Sequence, residues 1–195
     1  LWVDLGRGTF EEEAIADDVY EQYLAGYGLA AKLLFERIPK GADPLGPDNI
    51  FGVVSGLLNG TGALFAGRWM IVGKSPLTGG WGDANCGGDL APAIKRTGFD
   101  GVFFKGISDK PVYLLIDGDK RELCDAGDLW GTDAVETERL LQERHGKAAR
   151  VAAIGQGGES QSLIAGVCND RGRIAARSGL GAVQQDGEDE GQEAQ

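Results

Sequence analysis

Lys74–Gly88 reads KSPLTGGWGDANCGG, and it is one of three clusters in which glycine gathers beside cationic side chains. The others are Gly60–Arg68 (GTGALFAGR) and Arg171–Gly181 (RGRIAARSGLG). The chain holds 33 glycines in 195 residues, so these clusters decide how its turns and close approaches are read. Glycine lets a backbone come close to a ligand and enter conformations that a Cβ forbids. Arginine offers a planar fork that matches phosphate oxygens. Arg68, Lys74, Arg171, Arg173 and Arg177 flank the clusters, and three such loops together imply a backbone cradle for a large anionic cofactor.

Outward from the clusters, the pattern alternates short apolar runs with helical spacing. Strands are expected at Trp2–Leu5, Ile50–Ser55, Trp69–Val72, Val102–Phe104 and Val112–Ile116. Asp117-Gly118 signals a hairpin returning through Glu122-Leu123-Cys124, and further strands are expected at Val151–Ile154 and Leu163–Val167. Asp17 is read as the cap of a helix through Leu24, and Leu29–Ile38 as a second helix closed by Pro39 and Gly41. Asp89 is read as the cap of Leu90–Thr97, and Asp133 with Glu136 as a capping pair for a helix ending before Gly146. Strands adjoin through hairpins rather than alternating with helices. The fold class is therefore α+β, with mixed or antiparallel sheets and packed helices. GYGLAAKLLFERI and GGDLAPAIKRTGF echo one another, which implies internal duplication of two similar halves. Residues 184–195 (QQDGEDEGQEAQ) read as a disordered acidic tail.

The net charge of −11 argues against nucleic acid, whose binding rests on phosphate neutralisation. No stretch has the length of a membrane span, and no secretory signal stands out in a chain that starts at Leu1. Cys86, Cys124 and Cys168 lack any C-x-x-C spacing, so a disulfide framework or structural zinc is not expected, and a cytoplasmic location with reduced thiols is. His145, the one histidine, sits at an expected helix end, where it offsets the dipole. VAAIGQGGES places Gly155 and Gly157 like a dinucleotide fingerprint, but Ser160 stands at the third glycine position and an extended segment follows. A tight turn is the better reading, with Glu159 holding backbone or an arginine, although a nucleotide-phosphate binder at Gly155–Gly158 stays as a weaker alternative. No P-loop and no nucleophile elbow occur, and no acid/base carboxylate pair can be singled out. Asn85, in what reads as a Gly-rich turn, can point its carbonyl at a cation, and such carbonyls with phosphate oxygens suit Mg²⁺.

In order along the chain, GYGLAAKLL, DPLGPDN, GLLNGTGA, GRWMIVGKSPLTGG, ANCGG, IKRTGFDG, KPVYLLI, DAGDLWG, ETE, IGQGGES and NDRGRIAARSGLGAV form a recognisable set. Across Leu1–Val183 they resemble the N-terminal domain of the tungsten-containing aldehyde ferredoxin oxidoreductase family. The resemblance implies a base of two similar halves under a tungsten bis-pterin cofactor, molybdenum being the other metal of that chemistry, with Mg²⁺ joining the two pterin phosphates. Carried over by residue, Arg68 would lie against pterin and near a [4Fe–4S] cluster. Asn85 and Gly87 would touch the cofactor, and Arg173, Ile174, Ala176 and Arg177 would form the second pterin-contacting segment. The backbone carbonyls of Asn85 and Ile174 would bind Mg²⁺. No catalytic side chain is assigned to this chain.

Two departures accompany the match. Ile174 and Ala176 stand where the family carries small residues, and Cys86 where it often carries serine. The family also continues past GAV into helical domains that supply the cluster cysteines and acid/base groups, whereas here an acidic segment intervenes. The expected activity is oxidation of an aldehyde to a carboxylic acid with electrons passed through [4Fe–4S] to ferredoxin, the isolated chain being inactive. The alternative is a non-catalytic pterin-binding or assembly module, or an inactive truncated remnant. Expected partners are ferredoxin, an aldehyde, the C-terminal domains or a partner subunit, and a second copy in a homodimer.

Overall fold

The computed structural model describes residues 1–183, so the expectation of a disordered tail at 184–195 lies outside the described residues. The chain opens with the hairpin β1 (Trp2–Asp4) and β2 (Thr9–Glu11), followed by helices α1 (Asp17–Tyr23) and α2 (Tyr27–Arg37). A meander of β3 (Ile50–Ser55), β4 (Arg68–Lys74) and β5 (Trp81–Gly87) comes next, then α3 (Leu90–Arg96) and β6 (Gly101–Lys105). These strands form one six-stranded sheet in the order β2-β1-β6-β3-β4-β5, with β6 parallel to β1 and every other neighbour antiparallel.

The near-continuous apolar runs of β3 and β4 follow from cover on both faces. Ile50, Val54, Met70, Val72 and Phe103 meet Leu29, Ala30, Leu33 and Leu34 of α2 on one face. Phe51, Trp69, Ile71, Ala84 and Cys86 meet Leu90, Ala91 and Ile94 of α3 on the other. The two echoing segments thus become helices on opposite faces of one sheet. Gly52 is required at the centre, because a Cβ there would stand 2.7 Å from Val72 Cγ2 and 2.8 Å from the Phe103 ring. At the sheet edge, β5 alternates: Gly82, Ala84 and Cys86 are buried, while Trp81, Asp83 and Asn85 face outward.

The second half holds the hairpin β7 (Val112–Asp117) and β8 (Lys120–Asp125), helix α4 (Ala134–His145), and a meander of β9 (Ala152–Ala153), β10 (Val167–Asn169) and β11 (Arg173–Ala175). A short helix α5 (Gln156–Glu159) interrupts it, and a 3₁₀ turn at Leu180–Ala182 closes it. Here hairpin and meander stay as separate two- and three-stranded sheets. The α+β class with mixed and antiparallel sheets is what the sequence leads one to expect.

Several local expectations need correction. Leu163–Val167 is not a strand: Gln161 takes a left-handed φ of 53°, residues 163–166 run as turn and coil against Gly179 and Gly181, and pairing starts only at Val167. GQGGES is a helical turn, with Gly158 so close to the Gly181 carbonyl that a Cβ would lie 2.6 Å from it. Glu159 does hold backbone, its two carboxylate oxygens accepting from the Gly131 amide at 3.0 Å each. Asp133 caps α4 by accepting from the Val135 and Glu136 amides at 2.8 and 2.9 Å, but Glu136 turns to Arg139. Neither Asp17 nor Asp89 caps through its side chain. His145 ends α4 with Nε2 2.9 Å from the Tyr113 hydroxyl. Among the described residues no helix is long and apolar enough to cross a membrane.

Asp100, entering β6, ties three elements together: the Tyr20 hydroxyl of α1 donates to it at 2.5 Å, and Lys95 of α3 forms an ion pair with it. Burial works against its charge, yet the hydrogen bonds from Lys95 and Tyr20 prevail and hold its carboxyl below the ordinary aspartate value. A depressed folded-state pKa contributes stability above the unfolded value of about 4, lost as pH falls through the folded one. In urea titrations the advantage of wild type over Asp100→Asn is expected to be constant above about pH 5 and to shrink below about pH 4. An equal gap at both pH values would refute the ion-pair assignment.

Candidate functional site

The antiparallel register of β4 and β5 sets Arg68 opposite Gly87 and Met70 opposite Asn85. Arg68 and Asn85 thereby project from the same face, and the guanidinium Nη2 donates to the Asn85 side-chain oxygen. Arg173 opens β11, which packs beside edge strand β5. Its Nη1 and that of Arg68 each come within 3.6 Å of where a Gly87 Cβ would stand. Two exposed guanidinium groups therefore converge over a residue with no side chain. Neither forms an ion pair with a carboxylate among the described residues.

Buried amides fix both arginines. Asn59, 4 % exposed, donates to the Arg68 carbonyl at 2.6 Å and to Ser55 Oγ at 2.8 Å, and Ser55 donates on to the Ala91 carbonyl at 3.0 Å. The Gly60–Arg68 loop is thus closed at its base. Asn169 is 1 % exposed; with its amide oxygen on Trp69 Nε1 at 3.3 Å, its nitrogen donates to the Arg173 carbonyl at 3.2 Å. Asp170 accepts from the Asp89 amide at 2.7 Å, directly after Gly87-Gly88. The β10–β11 turn that carries Asp170 is left-handed at Asp170, Arg171 and Gly172, with φ of 44°, 61° and 109°. Non-glycine residues pay for such φ values in strain and hold them where surrounding contacts dictate. Here the Arg171 amide donates at 2.8 Å to Glu138, a carboxylate buried on α4.

Two further groups lie at the site. The Tyr27 hydroxyl, at the start of α2, is buried without a hydrogen-bond partner. Burial pushes its pKa up, aided by the Asp83 carboxylate and opposed by Asn85 and Arg68. Burial likewise pushes the Cys86 thiol up, against the pull of Arg68 and Arg173, so it is a protonated, inert group at neutral pH.

The structure brings Arg68, Asn85, Gly87 and Arg173 together. Ile174 lies one residue further along β11 and is half exposed, and Ala176 follows the strand. Arg177 is exposed with a left-handed φ of 87°. Asn85 does not sit in a Gly-rich turn but in β5, without left-handed backbone, because ANCGG is the end of a ladder to β4. Lys74 belongs to the far end of β4 and donates to the Ala42 carbonyl. Asn59, Asn169, Asp170 and Tyr27 have no role assigned from sequence. GLLNGTGA and NDRGR contain three of them, but Trp69, which donates to Asn169, and Asp89, which donates to Asp170, lie far away in the sequence.

A family profile described as "Aldehyde ferredoxin oxidoreductase, N-terminal domain" matches residues 1–186. Tungsten-containing aldehyde ferredoxin oxidoreductases of Pyrococcus horikoshii and Thermococcus kodakarensis are 38% and 39% identical over 184 residues, 94% of this chain and 30% of each relative. An aliphatic sulfonate oxidoreductase, WOR-like subunit, of Pyrococcus furiosus is 31% identical over 94% of the chain and 32% of its own length. Among solved structures, the active site complex BamBC of benzoyl coenzyme A reductase with 1,5-dienoyl-CoA matches with a TM-score of 0.90 and 38% identity, covering 93% of this chain and 28% of that one.

Gly88 offers a direct check on the grip between β5 and the β10–β11 turn. It has a φ of +129°, and a Cβ there would collide with Asp170 Oδ2 and lie 2.7 Å from Asn169 Nδ2. Gly79 also has positive φ, but its Cβ position is open. Gly79→Ala should cost about 1 kcal/mol in chemical denaturation, the backbone term alone. Gly88→Ala should cost about 2 kcal/mol more, and equal losses would deny the contact.

Proposed function

The chain belongs to the aldehyde ferredoxin oxidoreductase family as its N-terminal domain, and on that premise we propose that Arg68, Gly87 and Arg173 seat the phosphate groups of a tungsten-bearing pterin cofactor. The observation that carries this is the convergence of two arginines over a missing side chain. Like charges held together without carboxylates gain most from a bound anion, and guanidinium forks hold phosphate oxygens through charge-assisted bonds. The unpartnered Tyr27 hydroxyl beside Asn85 adds a donor that a polar ligand would satisfy.

Among the described residues no group of three or more His, Cys, Asp or Glu could hold a metal ion, so tungsten at this site would come with ligands of the pterin. Backbone carbonyls of Asn85 and Ile174 are our proposed Mg²⁺ ligands. This reading is supported by β5 and β11 both being edge strands that lie side by side, with backbone carbonyls on their outer edges. Arg177 and the backbone at Ala176 extend the same segment.

When bound, such a cofactor supplies the two-electron chemistry that turns an aldehyde and water into a carboxylic acid, with a [4Fe–4S] cluster outside these residues relaying electrons to ferredoxin. This chain's own part is to bind, orient and neutralise charge. It spans about 30% of the length of the curated relatives it matches, so turnover belongs to this domain together with the remainder. The relatives' names range over aldehyde, aliphatic sulfonate and a benzoyl-CoA reductase. A domain shared across such different substrates is best read as the cofactor's seat, and aldehyde is our reading for this chain because the relatives 38% and 39% identical carry it.

The test is metal and pterin content, not turnover. In protein produced with its remaining domains, Arg68→Ala and Arg173→Ala should each lower tungsten by elemental analysis, and oxidised-pterin fluorescence with it, by about tenfold or more. Unchanged content in both variants would reject the seat.

A further inference from the structure

Tyr27 opens α2 and is held there tightly. A Cβ on Gly26 before it would collide with Met70 Cε, and one on Gly28 after it with the Tyr23 carbonyl. Leu24, three residues earlier, keeps a left-handed φ of 59°. Non-glycine backbone holds such values where surrounding contacts dictate them. The outcome is a hydroxyl that faces Asn85 and Asp83 of β5 and is buried with no hydrogen-bond partner among the described residues. A buried hydroxyl in that state costs stability, so a neighbour with a second position that satisfies it is to be expected.

The two neighbours differ in what holds them. Asp83 accepts the Trp81 indole N–H at 2.6 Å, within its own strand. Asn85 accepts from Arg68, whose guanidinium is exposed and stands beside that of Arg173. The Asn85 backbone is fixed in the ladder to β4, which leaves only its side chain free to turn. We propose that Asn85 Oδ1 serves Arg68 and Tyr27 in turn: when Arg68 swings to an anion, the Asn85 side chain rotates and accepts from the Tyr27 hydroxyl instead. Tyr27 is thus a positioning residue that acts on Arg68 through Asn85. It makes Arg68 easy to withdraw, because the amide that loses one donor gains another in the same step and no buried polar atom is stranded. An anion at the seat satisfies the hydroxyl through Asn85 rather than by touching it. The exchange stands on these three residues, and only the nature of the ligand that draws Arg68 away rests on the phosphate seat proposed above.

Chemical denaturation of the 195-residue chain reads the exchange without any ligand. In the wild-type background Tyr27→Phe removes an unpartnered hydroxyl and should raise the folding equilibrium constant about fivefold. In Arg68→Ala, where Asn85 is free to accept, the same change removes a bond and should lower that constant about fivefold. With Asn85→Ala added, the reversal should vanish. Carbon-13 NMR at tyrosine Cζ adds the ligand, with pyrophosphate as the probe. Pyrophosphate should move the Tyr27 resonance, assigned by its loss in Tyr27→Phe, to the position it holds in Arg68→Ala without pyrophosphate. The same sign in both backgrounds, or a reversal that survives Asn85→Ala, overturns the exchange. A reversal with no response to pyrophosphate upholds the exchange and rejects the phosphate seat instead.

Discussion

Two guanidinium groups held over a glycine are the constraint that organises this domain. Arg68 and Arg173 carry like charge, and their exposed guanidinium groups both stand beside Gly87. Each is fixed through its backbone rather than through its charge: Asn59 grips the Arg68 carbonyl and Asn169 the Arg173 carbonyl. The amides are buried and satisfied, so moving either arginine means breaking bonds that water cannot replace. In the proposed reading such a site is built before any ligand arrives, and its cost would be recovered when an anion settles between the two forks.

The layers explain why the site lies where it does. Gly87 ends the edge strand of the six-stranded sheet and Arg173 starts the edge strand of the three-stranded one. Both sheets are anchored by apolar cover, α2 and α3 on the first and α4 on the second. Edge strands normally have to be protected from stray pairing. Here the two edges face one another, and Asp170 bridges them by accepting from the Asp89 amide.

Local physics made most elements legible. Apolar runs located β3, β4, β6 and β7, helical spacing located α2, and Asp133 marked the start of α4. The failures have local causes too. ANCGG carries every mark of a turn, yet its alternate residues Ala84 and Cys86 are buried against α3 and continue the β4 ladder. Leu163–Val167 looks like a strand by composition, but close packing against Gly179 and Gly181 bends it. At the site, motif resemblance singled out Arg68, Asn85, Gly87 and Arg173, whereas Asn169 and Asp170 meet Trp69 and Asp89 across a long stretch of chain, a separation that no periodicity records. Lys74 shows the opposite error, a cation inside a glycine cluster that serves only to close a loop.

The most direct measurement is a crystal structure of the domain assembled with its remainder, with anomalous scattering recorded at the tungsten edge. Phosphate oxygens should lie within hydrogen-bonding reach of both the Arg68 and Arg173 guanidinium groups, above Gly87, with the metal peak attached to the same pterin. Tungsten found with its pterin phosphates on another face, leaving those two guanidinium groups in contact with solvent alone, would contradict the assignment.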